Sequence, residues 1–205
     1  MVNPCDTERP VVVAVTGTHS TGKTTFLSRL ASELRRESLD VATLADLAEQ
    51  AQRVGLPLLF NHTWASTMWI ITRGISNEIE SWVHADVVLV DRAVPDALGY
   101  FLAALDYRDE TADTRALEQL RALVRAHSAN YDLIFRTTLD PTLPLGNNKS
   151  RDSNGRFRAL ADRHIGRVLH ELRIPHEILV AADHDRALTR ARDCVTSKLA
   201  LQWSR

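Results

Sequence analysis

In the stretch VVVAVTGTHSTGKTTF, Gly17 is followed after four residues by Gly22, Lys23 and Thr24. That spacing suits one task, holding a polyphosphate. Glycines let the backbone turn sharply and come close to an anion. The N–H groups of Thr18, His19, Ser20, Thr21, Gly22, Lys23, Thr24 and Thr25 can then converge on it, reinforced by the positive end of the following helix dipole. Lys23 is placed to reach the β- and γ-phosphates of a nucleoside triphosphate, ATP or GTP, and the Thr24 hydroxyl to bind Mg²⁺. The blander alternative is a glycine-rich turn that binds nothing. It has no need of the apolar run before the motif or the helical pattern after it. His19 is expected to contribute its backbone N–H rather than its ring.

A second group follows the run VVLVD, Val87 to Asp91. An apolar strand ending in a carboxylate sets Asp91 beside the phosphate loop, where it can hold Mg²⁺ directly or through water. Its alternative is a turn aspartate at a strand end. The next residue is Arg92 rather than a second acid that would activate water, which favours transfer to an acceptor over hydrolysis. A third group, Arg151, Arg156 and Arg158, closes a stretch over 139–158 rich in Pro, Gly, Asn and Ser. A mobile loop of that composition can bring arginines over the phosphates and exclude water. Taken singly, each arginine reads equally as part of a solvated basic helix face. Arg163 and Arg167, further on, read as surface residues.

These groups need a scaffold, and the hydrophobic pattern supplies one. Short β-branched runs begin at Val11, Val41, Asp86, Tyr131 and His176, separated by longer helical stretches. The helix after the phosphate loop, residues 24–37, carries Phe26, Leu27, Leu30 and Leu34 on one face. Strand–helix alternation implies a parallel sheet covered on both faces, with ligands at the carboxyl ends of its strands. Between the second and third strands, residues 55–82 form a helical insertion holding Phe60, Trp64, Trp69 and Trp82.

VTGTHSTGKTTF and DRAVPDALGYF together resemble the P-loop kinase family that contains thymidylate-kinase-like enzymes and the ribosylnicotinamide kinase domain. PLLFNHTWASTMWI, the acidic helix through Glu78 and Glu80, and SRDSNGRFRALADRHI extend the resemblance over most of the chain. It implies an α/β three-layer P-loop NTPase sandwich with a five-stranded parallel sheet in the order 2-3-1-4-5. It also implies one domain over 1–205, with an acceptor-site insertion over 55–82 and an arginine-bearing lid over 139–163. The activity implied is Mg²⁺-dependent transfer of a γ-phosphoryl group to a small molecule, with a hydroxyl on a nucleoside-like or natural-product acceptor. Arg92 and the lid arginines would offset charge on the transferring group.

The resemblance also implies an acid just past strand two that addresses the acceptor. Asp46 fits best, with Glu49 one helical turn on, although Asp46 reads equally as the N-cap of the next helix. Trp64 and Trp69 would stack on the acceptor and Asn61 and His62 would hydrogen-bond it, unless the aromatics are core. Asp96 reads as a first-turn carboxylate and as a further candidate to line the same pocket. If the acceptor were itself a phosphate, Arg53, Arg73 or Arg92 would bind it. Fold resemblance does not name a substrate. A nucleoside monophosphate kinase and a regulatory ATP- or GTP-binding NTPase stay open.

Composition narrows the partners. The 205 residues are 44% hydrophobic and 25% charged, ordinary for a globular domain with a full core. A formal charge of −1 argues against nucleic acid as the main partner. MVNPCDTERP lacks the apolar run of a secretory signal, and no apolar run is long enough to span a membrane. Cys5 and Cys194 read as reduced bystanders, which suits a cytoplasmic monomer or homodimer. Asn148-Lys149-Ser150-Arg151 lacks the acid of a guanine-reading motif, and Asp96-Ala97-Leu98-Gly99 falls past the strand tip where a switch glycine would sit.

Overall fold

The computed structural model describes residues 9–139, 154–180 and 183–204. Five parallel strands form one sheet in the order β2-β3-β1-β4-β5: β1 (Val11–Thr16), β2 (Val41–Leu44), β3 (Val87–Asp91), β4 (Leu133–Thr137) and β5 (Glu177–Leu179). This is the order the kinase resemblance implies. The central strand shows why an unbroken apolar run was required. Val12 and Ala14 enter the core on one face of the sheet, and Val11, Val13 and Val15 enter the core on the other. A strand buried on both faces has no place for alternating polar residues.

Helices α1 (Lys23–Arg36) and α7 (His184–Trp203) cover one face, with Phe26, Leu30, Leu34, Leu188 and Val195 packed on the sheet. The other face is covered by α3 (Trp64–Ser81), α4 (Pro95–Tyr107), α5 (Thr114–Ser128) and α6 (Gly155–Glu171). A short helix α2 (Ala48–Arg53) and a 3-10 turn (Leu59–Asn61) connect β2 to α3. Thr63 caps α3 by accepting from the Ser66 N–H, while the Ser66 hydroxyl accepts from the Thr63 N–H.

Helices α4 and α6 pack with their backbones close together. A Cβ on Gly99 would lie 2.9 Å from the Ile165 Cα and 3.0 Å from its N, so only glycine lets the two backbones approach this far. Consequently α6 is a core helix from its first turns, with Phe157, Ala161 and Ile165 fully buried. Residues 155–163, expected as the far end of a swinging lid, are the first half of that helix. Arg151 and residues 140–153 lie outside the described residues.

Candidate active site

The phosphate loop joins the carboxyl end of β1 to α1, and its turn needs unusual backbone. Gly17 has φ 134°, Ser20 φ 59° and Gly22 φ 85°. At Gly17 space matters as well as φ, because a Cβ there would sit 2.6 Å from the Thr137 carbonyl oxygen. The loop is pinned from below by Asp96, in the first turn of α4 and only 3% exposed. Its carboxylate accepts from the Thr16 hydroxyl and, at 3.1 and 3.2 Å, from the Gly17 N–H. Burial pushes the Asp96 carboxyl up to about 6 against the pull of Arg92 and Lys23. Asp96 lines the cleft but spends its oxygens on the loop.

Lys23 is buried, with Nζ 2.5 Å from the Thr18 carbonyl oxygen and 3.3 Å from the Thr21 hydroxyl. Burial, helped by the nearby Arg92 charge, lowers its ammonium from 10.5 to about 7. The Thr24 hydroxyl donates to Asp91 Oδ2 at 2.5 Å. Strand β3 thus ends on the acid that meets the first turn of α1, and the two side chains offer hard oxygen ligands of the kind Mg²⁺ prefers. Among the described residues no group of three or more His, Cys, Asp and Glu could hold a metal.

Arg92 joins the phosphate loop to Asp46. Its φ of 75° is unusual for a side chain of this size, and its N–H is tied to the Val15 carbonyl at 3.0 Å. From there Nε reaches Asp46 Oδ2 at 2.6 Å and a terminal nitrogen lies 3.8 Å from Asp96. Burial works against the Arg92 charge, but Asp46, Tyr100 and Asp96 outweigh it and hold the guanidinium well above its ordinary value. Burial likewise disfavours charge on Asp46, yet Arg92 and the Ala48 N–H together keep its carboxyl below the usual range. Asp46 is not itself the N-cap of α2, which is Leu47, but lies one residue before it. Oδ1 accepts from Ala48 N, the first residue of α2, at 2.9 Å, while Oδ2 pairs with Arg92.

Tyr100, one turn beyond Asp96 on α4, was not singled out by the sequence. Its hydroxyl accepts from the His19 N–H at 3.1 Å and lies 3.1 Å from His19 Nδ1 and 3.3 Å from the Thr18 hydroxyl. The Arg92 guanidinium carbon stands 5.2 Å from the centre of its ring, a cation–π distance. The His19 ring is thus engaged with α4 as well as contributing to the loop.

Arg158 is buried, and reaches the loop from α6. Its Nε donates to the His19 carbonyl and a terminal nitrogen to the Ser20 carbonyl, both at 3.2 Å. Arg156 is exposed and lies over Tyr107, 4.9 Å from the ring centre. The fold thus brings Arg158 to the phosphate loop and turns Arg156 away from it.

A cleft of about 1120 Å³ runs from the phosphate loop past Asp46, Glu49 and Arg92 to Asn61, His62 and one face of α3. His62 is buried, and its Nδ1 donates to the Leu59 carbonyl at 3.0 Å. Burial lowers its imidazole to about 4, so the ring is neutral and its other nitrogen is an acceptor. Trp64 and Trp69 do not line the cleft; Trp64 is exposed at the start of α3 and Trp69 half-buried. Ile70, Gly74, Asn77 and Glu78 take that face instead. Among the described lining residues the lysines and arginines are Lys23 and Arg92; Arg53 and Arg73 are exposed elsewhere.

Several solved structures share this fold. The NadR protein in complex with NR is 20% identical with a TM-score of 0.66, over 93% of this chain and 53% of that one. This chain therefore spans about half the length of that protein. Thymidylate kinase from Candida albicans is 15% identical with a TM-score of 0.64, over 93% of this chain and 92% of that one. Deoxyadenosine kinase from M. mycoides with bound dATP is 10% identical with a TM-score of 0.63, over 91% of this chain and all of that one. At such identities the likeness is one of fold, a P-loop kinase-type α/β sandwich. No curated protein sequence matches the chain. Among the described residues no helix is long and apolar enough to cross a membrane. The model of an AAA domain matches residues 12–186, from the central strand through the phosphate loop to the start of α7, and the chain belongs to that family.

Proposed function

We propose that the protein transfers the γ-phosphoryl group of a nucleoside triphosphate to a hydroxyl of a small molecule. One observation carries this reading: Arg92 ties the acceptor-side acid Asp46 to the phosphate loop, within one cleft. A hydrolase needs a group that activates water beside the metal ligand. Here that position holds a cation whose partner is an acid facing the cleft.

Lys23 and the loop N–H groups bind the donor phosphates. Thr24 and Asp91 would hold Mg²⁺, which when bound would neutralise charge on the phosphates. Arg158 steadies the His19–Ser20 turn and, with the arginine-bearing segment before it, offsets charge on the moving group. Asp46 orients the acceptor hydroxyl. A carboxylate held below its usual pKa is a weak base, which suffices because phosphoryl transfer passes through a loose transition state with little need for early proton removal.

The charge of the cleft favours a hydroxyl acceptor over a phosphorylated one. Lys23 is assigned to the donor, and Arg92 is engaged by Asp46, Asp96 and the Gly17 carbonyl. A monophosphate bound beside Asp46 and Glu49 would need a further cation, and none of the described lining residues supplies it.

The test is transfer of label from γ-labelled ATP or GTP, with Mg²⁺, to pools of nucleosides, nucleotides, sugars and amino alcohols, followed by mass spectrometry. Label on a hydroxyl, abolished by Lys23→Ala, is expected. Release only as inorganic phosphate, unaffected by any pool, would refute the reading in favour of a regulatory NTPase. Label on an existing phosphate would replace it with a nucleotide kinase.

A further inference from the structure

At the inner end of the cleft, α3 presents Ile70, Gly74, Asn77 and Glu78, spaced i, i+4, i+7 and i+8 along one stripe. Three of these are small, apolar or neutral. Glu78 is a carboxylate only 2% exposed, and among the described residues no arginine or lysine pairs with it. Its Oε2 lies 2.7 Å from Nε2 of the buried His127 at the end of α5. Its Oε1 accepts from the Tyr131 hydroxyl at 3.0 Å, and that hydroxyl accepts in turn from the Val94 N–H at 3.2 Å. Burial, with the Glu78 charge beside it, holds the Tyr131 phenol well above its ordinary value, so it stays a donor.

The network fixes the carboxylate from behind and uses one lone pair on each oxygen. Ionised, a carboxylate accepts about four hydrogen bonds in all. The remaining capacity belongs to a group that lines the cleft. The lining of the cleft also includes apolar residues, among them Leu44, Ile70 and Val94, alongside polar ones such as Asn77. A pre-oriented acceptor in a cleft with apolar lining suits a ring that bears an N–H donor.

We propose that Glu78 is a specificity-determining residue, reading an exocyclic amino group on the ring of a nucleoside-like acceptor at the end remote from its reacting hydroxyl. The proposal rests on the phosphotransfer reading. His127 and Tyr131 are positioning residues that act through Glu78.

The experiment compares matched nucleosides with and without the donor, cytidine against uridine and adenosine against purine riboside. kcat/KM with Mg·ATP and binding by ligand-observed NMR are both measured, for wild type, Glu78→Gln and Tyr131→Phe. Wild type should prefer the amino member of each pair by at least about tenfold, the scale of one hydrogen bond to a charged group. In Glu78→Gln the preference should fall below about threefold or reverse, because the amide now offers a donor of its own. Tyr131→Phe, which removes one hydrogen bond that orients Glu78, should weaken the preference less than Glu78→Gln does. If the amide variant does not fold, Glu78→Asp withdraws the charge by one methylene and should shrink the preference without harming uridine. Equal treatment of the pairs by wild type overturns the proposal, as does a preference that survives Glu78→Gln, an equal loss in Tyr131→Phe, or binding of none of the four. The two readings fail separately. Transfer without discrimination removes the role of Glu78 and leaves the kinase, whereas discrimination in binding without transfer to any acceptor removes the kinase and leaves Glu78.

Discussion

Nucleotide binding should draw a proton from solution, and Lys23 sets how many. Burial and the neighbouring Arg92 bring its ammonium down to about 7 from 10.5. Phosphates placed on Nζ supply negative charge and restore the higher value. At pH 6 the lysine is already about 90% charged before binding, so uptake through it is about 0.1 proton; at pH 8 it is about 10% charged, so uptake is about 0.9 proton. Over the same interval nucleotide affinity should weaken progressively, approaching tenfold per pH unit above 7. Calorimetric titration with Mg·ATP in Tris and in HEPES, whose ionisation enthalpies differ, measures the uptake directly. Subtracting the profile of Lys23→Met removes the titration of the nucleotide itself. Stability carries the same signature. The native state binds fewer protons than the unfolded one between pH 7 and 10.5, so the strain is fully present below pH 7 and is relieved as pH rises through that window. The shift corresponds to roughly 5 kcal/mol, so Lys23→Met should be more stable than wild type at pH 6 and lose that advantage by pH 10. An uptake that is flat with pH, or unchanged in Lys23→Met, would refute the argument.

Three further outcomes follow from the packing. Asp96→Ala orphans the Thr16 hydroxyl and the Gly17 N–H at about 1–3 kcal/mol each, so thermal unfolding should drop by at least about 5 °C, with a smaller drop for Asp96→Asn; a shift under 2 °C would mean the loop does not hang on this acid. Arg158→Ala should lower kcat by about 10–100-fold, because two loop carbonyls lose a charged donor, while Arg156→Ala stays within about threefold; the reverse ranking in steady-state kinetics would contradict the placement of α6. Gly99→Ala gains up to about 1 kcal/mol of helix propensity but drives a methyl against the Ile165 backbone, an overpacking cost of about 1–3 kcal/mol, so denaturant titration should show net destabilisation, and a stabilised variant would disprove so close an approach.

What the sequence disclosed follows from how local each feature is. The phosphate loop is a run of neighbouring residues whose spacing is itself the chemistry, and Thr24 and Asp91 follow from it. Strand order came from resemblance rather than periodicity. The sequence places β1 and β2 on their observed bounds and the other three strands within one or two residues of theirs. The roles of Asp96 and Tyr100 depend on α4 passing beneath a loop far away in the chain. Their one local signal is an i, i+4 pair of polar residues on a helix otherwise fit for burial. The tryptophans misled for a geometric reason. Trp64 and Trp69 are five residues apart and cannot share a helix face, whereas the stripe through Ile70, Gly74 and Glu78 has the helical period. Arg158 needed the Gly99–Ile165 contact to be known before its reach to His19 made sense.

The place of β1 at the middle of the sheet has a consequence for assembly. Its register partners are Val87 and its neighbours on one side and Leu133 and its neighbours on the other. The most apolar strand therefore precedes both its partners in the chain and waits longest for β4. At about 5–20 residues per second, a ribosome leaves it without its β4 partner for on the order of ten seconds. In that interval the β4-facing edge of the strand is open to other chains, and the nucleotide site between β1 and α1 has no rigid floor. Pulse-labelled hydrogen exchange during refolding should show the amides of β1 becoming protected together with those of β4, not with those of α1 or β2. Earlier protection of β1 would mean that the strand is sheltered by helix packing before the sheet exists.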